Sequence, residues 1–444
     1  MKPLPVRHKS FFFACLVALT ALIAAPLPFA ANENTALKFS FGSGETPAGF
    51  TAVAPESIYT EMRGYGFEPG AAIVSKPASN APGAGFCTSD KPFYFSVALP
   101  EGNYRVTVTL GDPSGESDTT VKAELRRLML ELVKTAKCEI VTRTFIVNTR
   151  TPRIGAGPAE VSLKPREKTM EAWAWDNRLT LEFNGTHPCL STLEIYRADD
   201  VPTIYLIGDS TVCDQPNEPW ASWGQMLTRF FKPDIAIANH AESGEALRSS
   251  RRAHRFEKIF STIKRGDYVI IQFGHNDEKE KGDGIGAMTS YKTDLANLVS
   301  EVRDHGATPI VVTPMQRRTF DANGHVTNSH GDYPEAVRQV AREKSVALID
   351  LHAMSTSFYE ALGADKSALA FSTVDRKTDG THHNAYGSYE LAKCIVQGIK
   401  AAQPDLARHL VDGLPTFDPA TPDPAATFNI PVSPQISIEK PYGN

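Results

Sequence analysis

The strongest constraint on the fold is a change in the spacing of apolar residues near residue 200. Before that point, short segments alternate apolar and polar residues and are rich in β-branched and aromatic side chains. Such segments, separated by Gly, Pro, Asp and Asn, are typical of half-buried strands joined by turns. They include residues 37–41, 104–110, 144–147 and 179–183. We therefore predict an all-β sandwich, or a jelly roll, over residues 32–200.

From residue 201 the pattern becomes a buried strand followed by an amphipathic helix, repeated along the chain. The predicted strands cover residues 203–207, 234–238, 268–273, 309–313 and 346–351, and the predicted helices cover 223–231, 247–263, 291–305, 333–344 and 384–402. This alternation indicates an α/β domain over residues 201–403, with a parallel sheet covered on both faces. Functional sites in such sheets lie at the carboxyl ends of the strands. The Pro-rich residues 404–444 are predicted to form an extended tail.

Residues 1–31 have the pattern of a secretory signal. Three basic residues lie before or at the start of an apolar run over residues 11–25, and Ala30 and Ala31 offer a cleavage point. A membrane anchor is the alternative, but the run is too short to span a bilayer comfortably and Pro26 ends it. We therefore expect an exported protein, periplasmic or extracellular, without a stable membrane span.

Charge and cysteine content exclude several kinds of site. The net charge of −5 at pH 7 argues against a nucleic-acid partner. Five of the six cysteines follow the predicted signal, and an odd number leaves at least one thiol unpaired. Because no Cys-x-x-Cys pair occurs, we expect no metal or redox site.

Four short motifs follow predicted strands or precede the last predicted helix. They are Gly208-Asp209-Ser210, Glu242-Ser243-Gly244, Gly274-His275-Asn276-Asp277 and Asp379-Gly380-Thr381-His382. Together they supply a hydroxyl nucleophile, a base, an acid that can orient the base, and donors for an oxyanion. A serine hydrolase needs this set of groups.

Each catalytic residue has a predicted place in the α/β pattern. Ser210 is the predicted nucleophile, exposed after the first strand and near a helix N-terminus; a plain N-cap serine is the alternative. Asp379 and His382 are the predicted acid and base, in the loop before the last helix. A spacing of three lets the carboxylate fold back onto the imidazole. His383 is a competing base.

Three donors are predicted to face the oxyanion. Gly244 lacks a Cβ, so its backbone N–H can approach a substrate closely. Asn276 offers a side-chain amide at the end of the third strand, and Ser210 offers its own N–H. Gly244 and Asn276 could also be turn residues without a catalytic role.

At these residues the chain resembles the SGNH (GDSL) hydrolases. Residues 204–215, 273–277 and 379–383 are similar to the rhamnogalacturonan acetylesterase branch. The resemblance implies a flavodoxin-like three-layer αβα fold and removal of acetyl groups from pectic polysaccharide without a cofactor. It assigns Ser210, Asp379 and His382 to catalysis, and Ser210, Gly244 and Asn276 to the oxyanion hole. The first domain resembles the galactose-binding-like β-domains, through residues 39–44 and 63–68.

The resemblance leaves the substrate open. Acetylated plant polysaccharide or oligosaccharide is the expected partner, most specifically rhamnogalacturonan. Alternatives are acetyl xylan or another ester or thioester and, from a different class, a carbohydrate-binding protein with a silent hydrolase domain. The candidate substrate contacts are Trp220, which could stack on a sugar, and Arg248, Arg251, Arg317 and Arg318, which could bind uronate carboxylates. A packed loop aromatic and solvated charged helix faces are the competing interpretations.

Overall fold

The structure is a computed structural model that describes Met1, residues 36–77 and residues 85–442. Apart from Met1, the predicted signal lies outside the described residues, so it stays a prediction. We refer to residues 36–200 as the N-terminal β-region, to 201–403 as the α/β region and to 404–442 as the C-terminal segment. The domain boundaries predicted from the sequence also stay predictions.

The N-terminal β-region consists of strands joined by short turns. The strands are β1 (Leu37–Ser40), β2 (Thr51–Ala52), β3 (Tyr65–Phe67), β4 (Val74–Lys76), β5 (Phe86–Thr88), β6 (Phe93–Ala98), β7 (Gly102–Leu110), β8 (Ser117–Ala123), β9 (Arg127–Thr135), β10 (Val141–Thr149), β11 (Arg178–His187), β12 (Cys189–Leu190) and β13 (Thr192–Arg197).

Two five-stranded sheets dominate this region, in the orders β10-β7-β13-β1-β2 and β3-β6-β11-β8-β9, and a short sheet β12-β5-β4 accompanies them. Alternate residues of both large sheets share one apolar core. Phe39, Val106 and Leu193 come from the first sheet, and Phe95 and Val121 from the second. The burial of one face of each sheet stabilises a sandwich. The predicted all-β architecture is confirmed.

The α/β region alternates strands and helices as predicted. Its strands are β14 (Thr203–Gly208), β15 (Ala236–Asn239), β16 (Tyr268–Gln272), β17 (Thr308–Val312), β18 (Ala347–Ile349), β19 (Phe371–Val374) and β20 (Lys377–His383). Its helices are α1 (Trp223–Leu227), α2 (Leu247–Arg252), α3 (Arg255–Phe260), α4 (Lys292–Asp304), α5 (Tyr333–Lys344), α6 (Leu351–Lys366) and α7 (Ala385–Ala402), and α8 (Pro404–Ala407) opens the C-terminal segment.

The first five strands of this region form one parallel sheet in the order β15-β14-β16-β17-β18. Successive residues of a strand enter different cores: Leu206 and Ile270 on one face, Tyr205 and Val269 on the other. The chain runs from β14 to β15 on one side and then crosses to β16 on the other. This topology places a switch point at the carboxyl end of β14, where α/β sheets form their sites. The predicted three-layer fold is confirmed.

One predicted helix is divided in two. The sequence pattern predicts a continuous helix over residues 247–263, but α2 ends at Arg252 and α3 begins at Arg255. His254 between them has a φ of 60°, in the left-handed region that a helix cannot contain. Apolar spacing alone does not reveal such a break, because both short helices bury residues on the same side of the sheet.

The C-terminal segment follows the junction between the two regions. The Lys122 ammonium donates to the Pro431 carbonyl over 2.7 Å, and the Ser433 hydroxyl donates to the Glu182 carboxylate over 2.8 Å. On the α/β side, the Glu218 N–H donates to the Gln435 carbonyl over 2.8 Å. These contacts place residues 431–435 against both regions.

Buried ion pairs also join the regions directly. The guanidinium of Arg127 lies 3.2 Å from Asp214, and that of Arg255 lies 2.6 Å from Glu167. All four side chains are at most 2% exposed. A buried charge is costly without a partner, so each region needs the other to neutralise these groups.

Two further features of the described residues are the state of the cysteines and the character of the helices. Cys87, Cys138, Cys189, Cys213 and Cys394 all have free thiols, and only Cys138 is exposed. Within residues 36–77 and 85–442, no helix is both long and apolar enough to cross a bilayer.

Candidate active site

Ser210 lies in a turn directly after β14, at the switch point of the sheet. The N–H groups of Val212 and Cys213 donate to the Asp209 carbonyl at 3.0 Å, which closes the turn around Ser210. The predicted position near a helix N-terminus is wrong, because the next helix, α1, begins only at Trp223. Ser210 is 2% exposed, so its hydroxyl lies in a largely enclosed site.

A chain of hydrogen bonds joins the serine to the two residues of the fourth motif. The His382 Nε2 lies 2.8 Å from the Ser210 Oγ, and the His382 Nδ1 lies 3.1 Å from the Asp379 Oδ2. With a proton on Nδ1, the imidazole donates to the carboxylate and leaves Nε2 free to accept the serine proton. The structure therefore assembles the predicted nucleophile, base and acid in a geometry suited to proton transfer.

Backbone N–H groups of two following residues hold the Asp379 side chain in place. The N–H groups of Thr381 and His382 donate to its Oδ1 over 2.8 and 3.0 Å. Burial disfavours the charge, but these bonds and the hydrogen bond from His382 hold the pKa of Asp379 well below its usual range. The residues lie on strand β20, paired with β19, and not in the predicted loop, so the strand backbone holds the acid and base in register.

His383, the competing base, points elsewhere. Its Nε2 lies 2.7 Å from the Tyr359 hydroxyl, and its ring packs on Phe371 with centroids 4.2 Å apart. Burial, reinforced by the neighbouring His382, lowers the pKa of His383 to about 3, so the ring is neutral. The geometry favours His382 as the base and gives His383 a packing role.

We expect His383→Ala to reduce stability more than turnover. The substitution removes a buried ring and leaves the Tyr359 hydroxyl without this partner, which costs roughly 2–4 kcal/mol. Thermal unfolding should shift to lower temperature, while kcat on a simple aryl acetate should stay within about tenfold of wild type in the folded fraction. Loss of activity at unchanged stability would instead assign the base to His383.

The Gly244 loop is held against the end of β14. The Glu242 N–H donates to the Gly208 carbonyl over 3.1 Å, which brings the second motif beside the first. Gly244 has a φ of 78°, a conformation that a residue with a side chain adopts only under strain. From the N-terminal β-region, Lys164 donates to the Ser243 carbonyl and pairs with Glu245 at 2.7 Å. Sequence patterns gave no signal for Lys164.

Asn276 is oriented by the same loop. Its side-chain amide donates one hydrogen to the Glu245 carbonyl over 3.0 Å, which leaves the second hydrogen available. Asp277 binds the N–H of Leu247 at 2.9 Å and that of Gly274 at 3.0 Å, so it ties the second and third motifs together. Among the described residues, the backbone N–H groups of Ser210 and Gly244 donate to no protein acceptor. All three predicted oxyanion donors thus remain available.

A pair of carboxyl groups lies behind the Gly244 loop. Burial, together with the neighbouring Glu171 and Glu167 carboxylates, raises the pKa of Glu242 well above its usual range. The neighbouring Glu171 pairs with Arg166. Among the described residues, two groups have metal-ligand spacing: Glu167, Glu171 and Glu242, and separately Asp112, His187 and Cys189. Arg166 pairs with Glu171 and Arg255 pairs with Glu167, which makes the first group a poor cation site.

The C-terminal segment reaches the catalytic residues. The Lys440 ammonium lies 3.6 Å from the Asp379 Oδ2, and 61% of its side chain is exposed. Tyr442 passes against Gly244 so closely that a Cβ on the glycine would lie 3.0 Å from the tyrosine Cβ, and its ring lies 5.1 Å from the Arg166 guanidinium. The Pro-rich composition of the segment gave no indication of this position.

The candidate substrate contacts differ in their exposure and in the protein groups that they bind. Trp220 is 2% exposed, and the Arg126 guanidinium of the β-region donates to its carbonyl over 3.1 Å. Its stacking on a sugar therefore stays a prediction. Arg318 donates to the Ala364 carbonyl over 2.6 Å, an anchoring contact within the protein.

The other three arginines have acidic partners. Arg317 pairs with Glu278 and donates to the carbonyl of His275 and the hydroxyl of Thr381, next to the base. Arg248 lies 2.6 Å from Asp294, and Arg251 lies 2.9 Å from Glu301. Their side chains are 37% and 43% exposed, so substrate binding by these two stays a prediction.

Comparisons with known proteins match both regions of the chain. Residues 206–388 match the GDSL-like Lipase/Acylhydrolase family, and residues 37–138 match the Beta-agarase/YXIM esterase-like, galactose-binding domain-like family. The rhamnogalacturonan acetylesterase RhgT of Bacillus subtilis (strain 168) is 36% identical over 219 residues, which cover 47% of this chain and 94% of the relative. The uncharacterized esterase YxiM of the same organism is 29% identical over 392 residues, 83% of this chain and 92% of the relative.

A crystal structure of the Bacillus subtilis YxiM protein covers 83% of this chain and 98% of that chain, at 27% identity and a TM-score of 0.43. Given the family match, the chain belongs to the GDSL-like lipase/acylhydrolases, with a galactose-binding-like region before the hydrolase fold. It is a carboxylic ester hydrolase of the SGNH class.

Proposed function

We propose that the protein is a serine esterase that removes acetyl groups from plant cell-wall polysaccharide, most specifically from rhamnogalacturonan. The observation that carries the proposal is the hydrogen-bonded chain from Ser210 through His382 to Asp379. The proposed substrate is suggested by a relative named rhamnogalacturonan acetylesterase. This chain is 36% identical to that relative and covers 94% of its length.

In the first half of the reaction, the Ser210 Oγ attacks the acetyl carbonyl while His382 Nε2 takes its proton. Asp379 stabilises the imidazolium through Nδ1–H. The carbonyl oxygen becomes an oxyanion held by the N–H groups of Ser210 and Gly244 and by the Asn276 amide. One such donor typically stabilises the transition state by about 3–4 kcal/mol. The sugar hydroxyl then leaves with the proton from His382, and an acetyl group remains on the serine.

In the second half, water replaces the sugar. His382 removes a proton from the water, which attacks the acetyl-enzyme and forms the same oxyanion in the same site. Collapse of this intermediate returns the proton to Ser210 and releases acetate. Every proton transfer uses Nε2, so the reaction needs only the groups of the described site.

The substrate can be tested by acetate release. We expect faster release from acetylated rhamnogalacturonan than from acetylated xylan at equal ester concentration. Turnover of an aryl acetate shows whether the site hydrolyses a simple ester at all. Faster release from xylan would contradict the substrate assignment but not the esterase. Failure to turn over the aryl acetate would instead support a carbohydrate-binding protein with a silent hydrolase domain.

An acidic polysaccharide requires local positive charge, and Lys440 supplies it beside the triad. We expect Lys440→Met to raise KM on acetylated rhamnogalacturonan roughly two- to fivefold, the range of an exposed ion pair. The kcat on an aryl acetate should change little, because a neutral ester has no carboxylate to bind. Salt should reduce the difference between variant and wild type, since screening acts over about 10 Å at 0.1 M.

Lys91→Met is the matched control for Lys440→Met, since Lys91 is exposed in the N-terminal β-region. Unchanged KM in the Lys440 variant, or an equal change in both variants, would exclude Lys440 as a substrate contact.

Export through residues 1–31 belongs to the same proposal, because a pectic polymer lies outside the cell. Sequencing the N-terminus of the protein recovered from the periplasm or medium tests this export.

Chelation is expected to leave the activity intact. Protein groups supply the base and the oxyanion donors, so the mechanism assigns no step to a metal. Dialysis against EDTA should leave kcat on the aryl acetate within experimental error. A loss that Mg²⁺, Ca²⁺ or Zn²⁺ restores would contradict the mechanism and direct attention to Glu167, Glu171 and Glu242.

A further inference from the structure

A large cavity formed by the described residues lies away from Ser210. It has a volume of about 780 Å³ and lies between the N-terminal β-region and the α/β region. Thr203 and Tyr205 of β14 line it, at the opposite end of the strand from the nucleophile, and no triad residue does. Five basic residues line this inter-domain cavity against three acidic ones, although the whole chain carries a net charge of −5.

Arg150 brings a buried charge without a salt-bridge partner to the inter-domain cavity. The residue follows β10 and is 5% exposed, and its Nε and Nη1 have no hydrogen-bond partner among the described residues. Its guanidinium lies 4.4 Å from the ring centroid of Trp175, which covers one face. Burial lowers the pKa of Arg150 to about 10, so the group is charged at neutral pH. An isolated buried charge is costly, and proteins normally pair such groups.

The charged neighbours of Arg150 are already engaged. Asp214 and Glu124 lie 3.2 and 3.9 Å from the Arg127 guanidinium, and burial raises the pKa of Glu124 to about 8. Within the cavity, Lys258 binds Glu101 at 2.6 Å, and Arg197 binds Asp199. Among the described residues, Arg150 is therefore a buried cation without a salt-bridge partner of its own, and a bound anion would supply one.

Other buried polar atoms without a partner indicate which further groups the ligand carries. The Asn148 Oδ1 is buried without a donor, and the His240 Nδ1 is buried without a partner. Both residues line the inter-domain cavity next to Trp175. The Asn148 oxygen can only accept a hydrogen bond, so it requires a hydroxyl or N–H on the ligand. The site thus presents a fork for a carboxylate, an acceptor for a hydroxyl, and an aromatic wall.

We propose that the inter-domain cavity binds a sugar acid, with the carboxylate of the ligand on Arg150 and a ligand hydroxyl on Asn148. Its volume lies within the range of small-molecule sites and admits one or two sugar rings. Arginine suits this task because its planar fork matches a carboxylate. This site is separate from the esterase and does not depend on the proposed function, since the ligand needs no ester.

Calorimetric titration of the full chain with galacturonate tests the assignment. We expect saturable binding of galacturonate and much weaker binding of galactose, which has the hydroxyls without the carboxylate. Inorganic phosphate should also bind more weakly, because it cannot use the aromatic wall. Galacturonate should raise the unfolding temperature of the wild-type protein, as a ligand of the folded state does.

Arg150→Met and Arg143→Met form a matched pair, since Arg143 is exposed on the same strand, β10. The loss of the charged contact should weaken galacturonate binding roughly 10- to 100-fold in the Arg150 variant. Without ligand, this variant should unfold at no lower temperature than wild type, because an unpaired buried charge has been removed. Arg143→Met should bind galacturonate within about twofold of wild type, and both variants should hydrolyse an aryl acetate at the wild-type rate.

Several results would overturn the sugar-acid site. Absence of binding to wild type, or equal affinity for galactose, would exclude a carboxylate ligand. Phosphate binding as tight as galacturonate binding would indicate a site for simple anions. Unchanged affinity in a folded Arg150→Met protein would place the ligand elsewhere, and marked destabilisation of the ligand-free variant would show that Arg150 serves the fold.

Discussion

Ser210→Ala is expected to lower kcat for ester hydrolysis by roughly a million-fold, the scale found when the nucleophile of a serine hydrolase is removed. The methyl group cannot attack the acetyl carbon, and the oxyanion donors alone give only slow hydrolysis by water. The folded structure should persist, because the Ser210 hydroxyl contacts His382 and the substitution removes a single oxygen atom. Steady-state kinetics on an aryl acetate and thermal unfolding together measure both effects.

Ser243→Ala is the matched control for this substitution. Ser243 is equally buried and belongs to the neighbouring motif, but its hydroxyl contacts Cys213 and Gln215 at 3.4 Å and not the base. Its loss should reduce kcat less than about tenfold. A folded Ser210→Ala protein that keeps a tenth of the wild-type kcat would exclude Ser210 as the nucleophile.

His382→Ala should be nearly as damaging as Ser210→Ala. Without Nε2, nothing takes the serine proton during attack or returns it to the leaving sugar. Base and nucleophile act as one unit, so the double variant should be hardly slower than either single variant. If the two effects multiplied instead, Ser210 and His382 would be acting independently, and the proton-transfer scheme would be wrong.

Substitution of Asp379 tests the acid of the catalytic chain and should lower kcat less than loss of the nucleophile does. Asp379→Asn keeps the shape of the side chain but removes the charge that stabilises the imidazolium and fixes the proton on Nδ1. A fall in kcat of roughly 10⁴-fold is expected, with KM little changed. A variant with wild-type kcat would assign the orienting role to another acid.

Sequence patterns were sufficient where local order determines position. Ser210 and Asn276 come together because each follows a strand of one parallel sheet, and parallel strands end at the same edge. Asp379 and His382 lie three residues apart, so their contact required only a suitable backbone. The sandwich and the α/β fold follow from periodicities of two and 3.6 residues, which depend on neighbouring side chains alone.

Sequence patterns failed where distant segments meet. Lys164 and Lys440 carry no local signal, and they reach the site only because the β-region and the C-terminal segment pack around it. Trp220 lies in a polar loop, which suggested exposure, but its side chain is buried and Arg126 from the β-region donates to carbonyls of that loop. Ser210 follows a strand without starting a helix, since the chain makes a closed turn first.

The ion pairs across the boundary near residue 200 affect how this architecture can evolve. A fragment beginning at residue 201 would leave Asp214 without Arg127, Arg255 without Glu167, and the Gly244 loop without Lys164. These contacts disfavour simple exchange of the first part for another module. We therefore expect compensating substitutions on both sides of the boundary among homologues that share both regions, and solubilising changes at these positions in relatives that consist of the hydrolase fold alone.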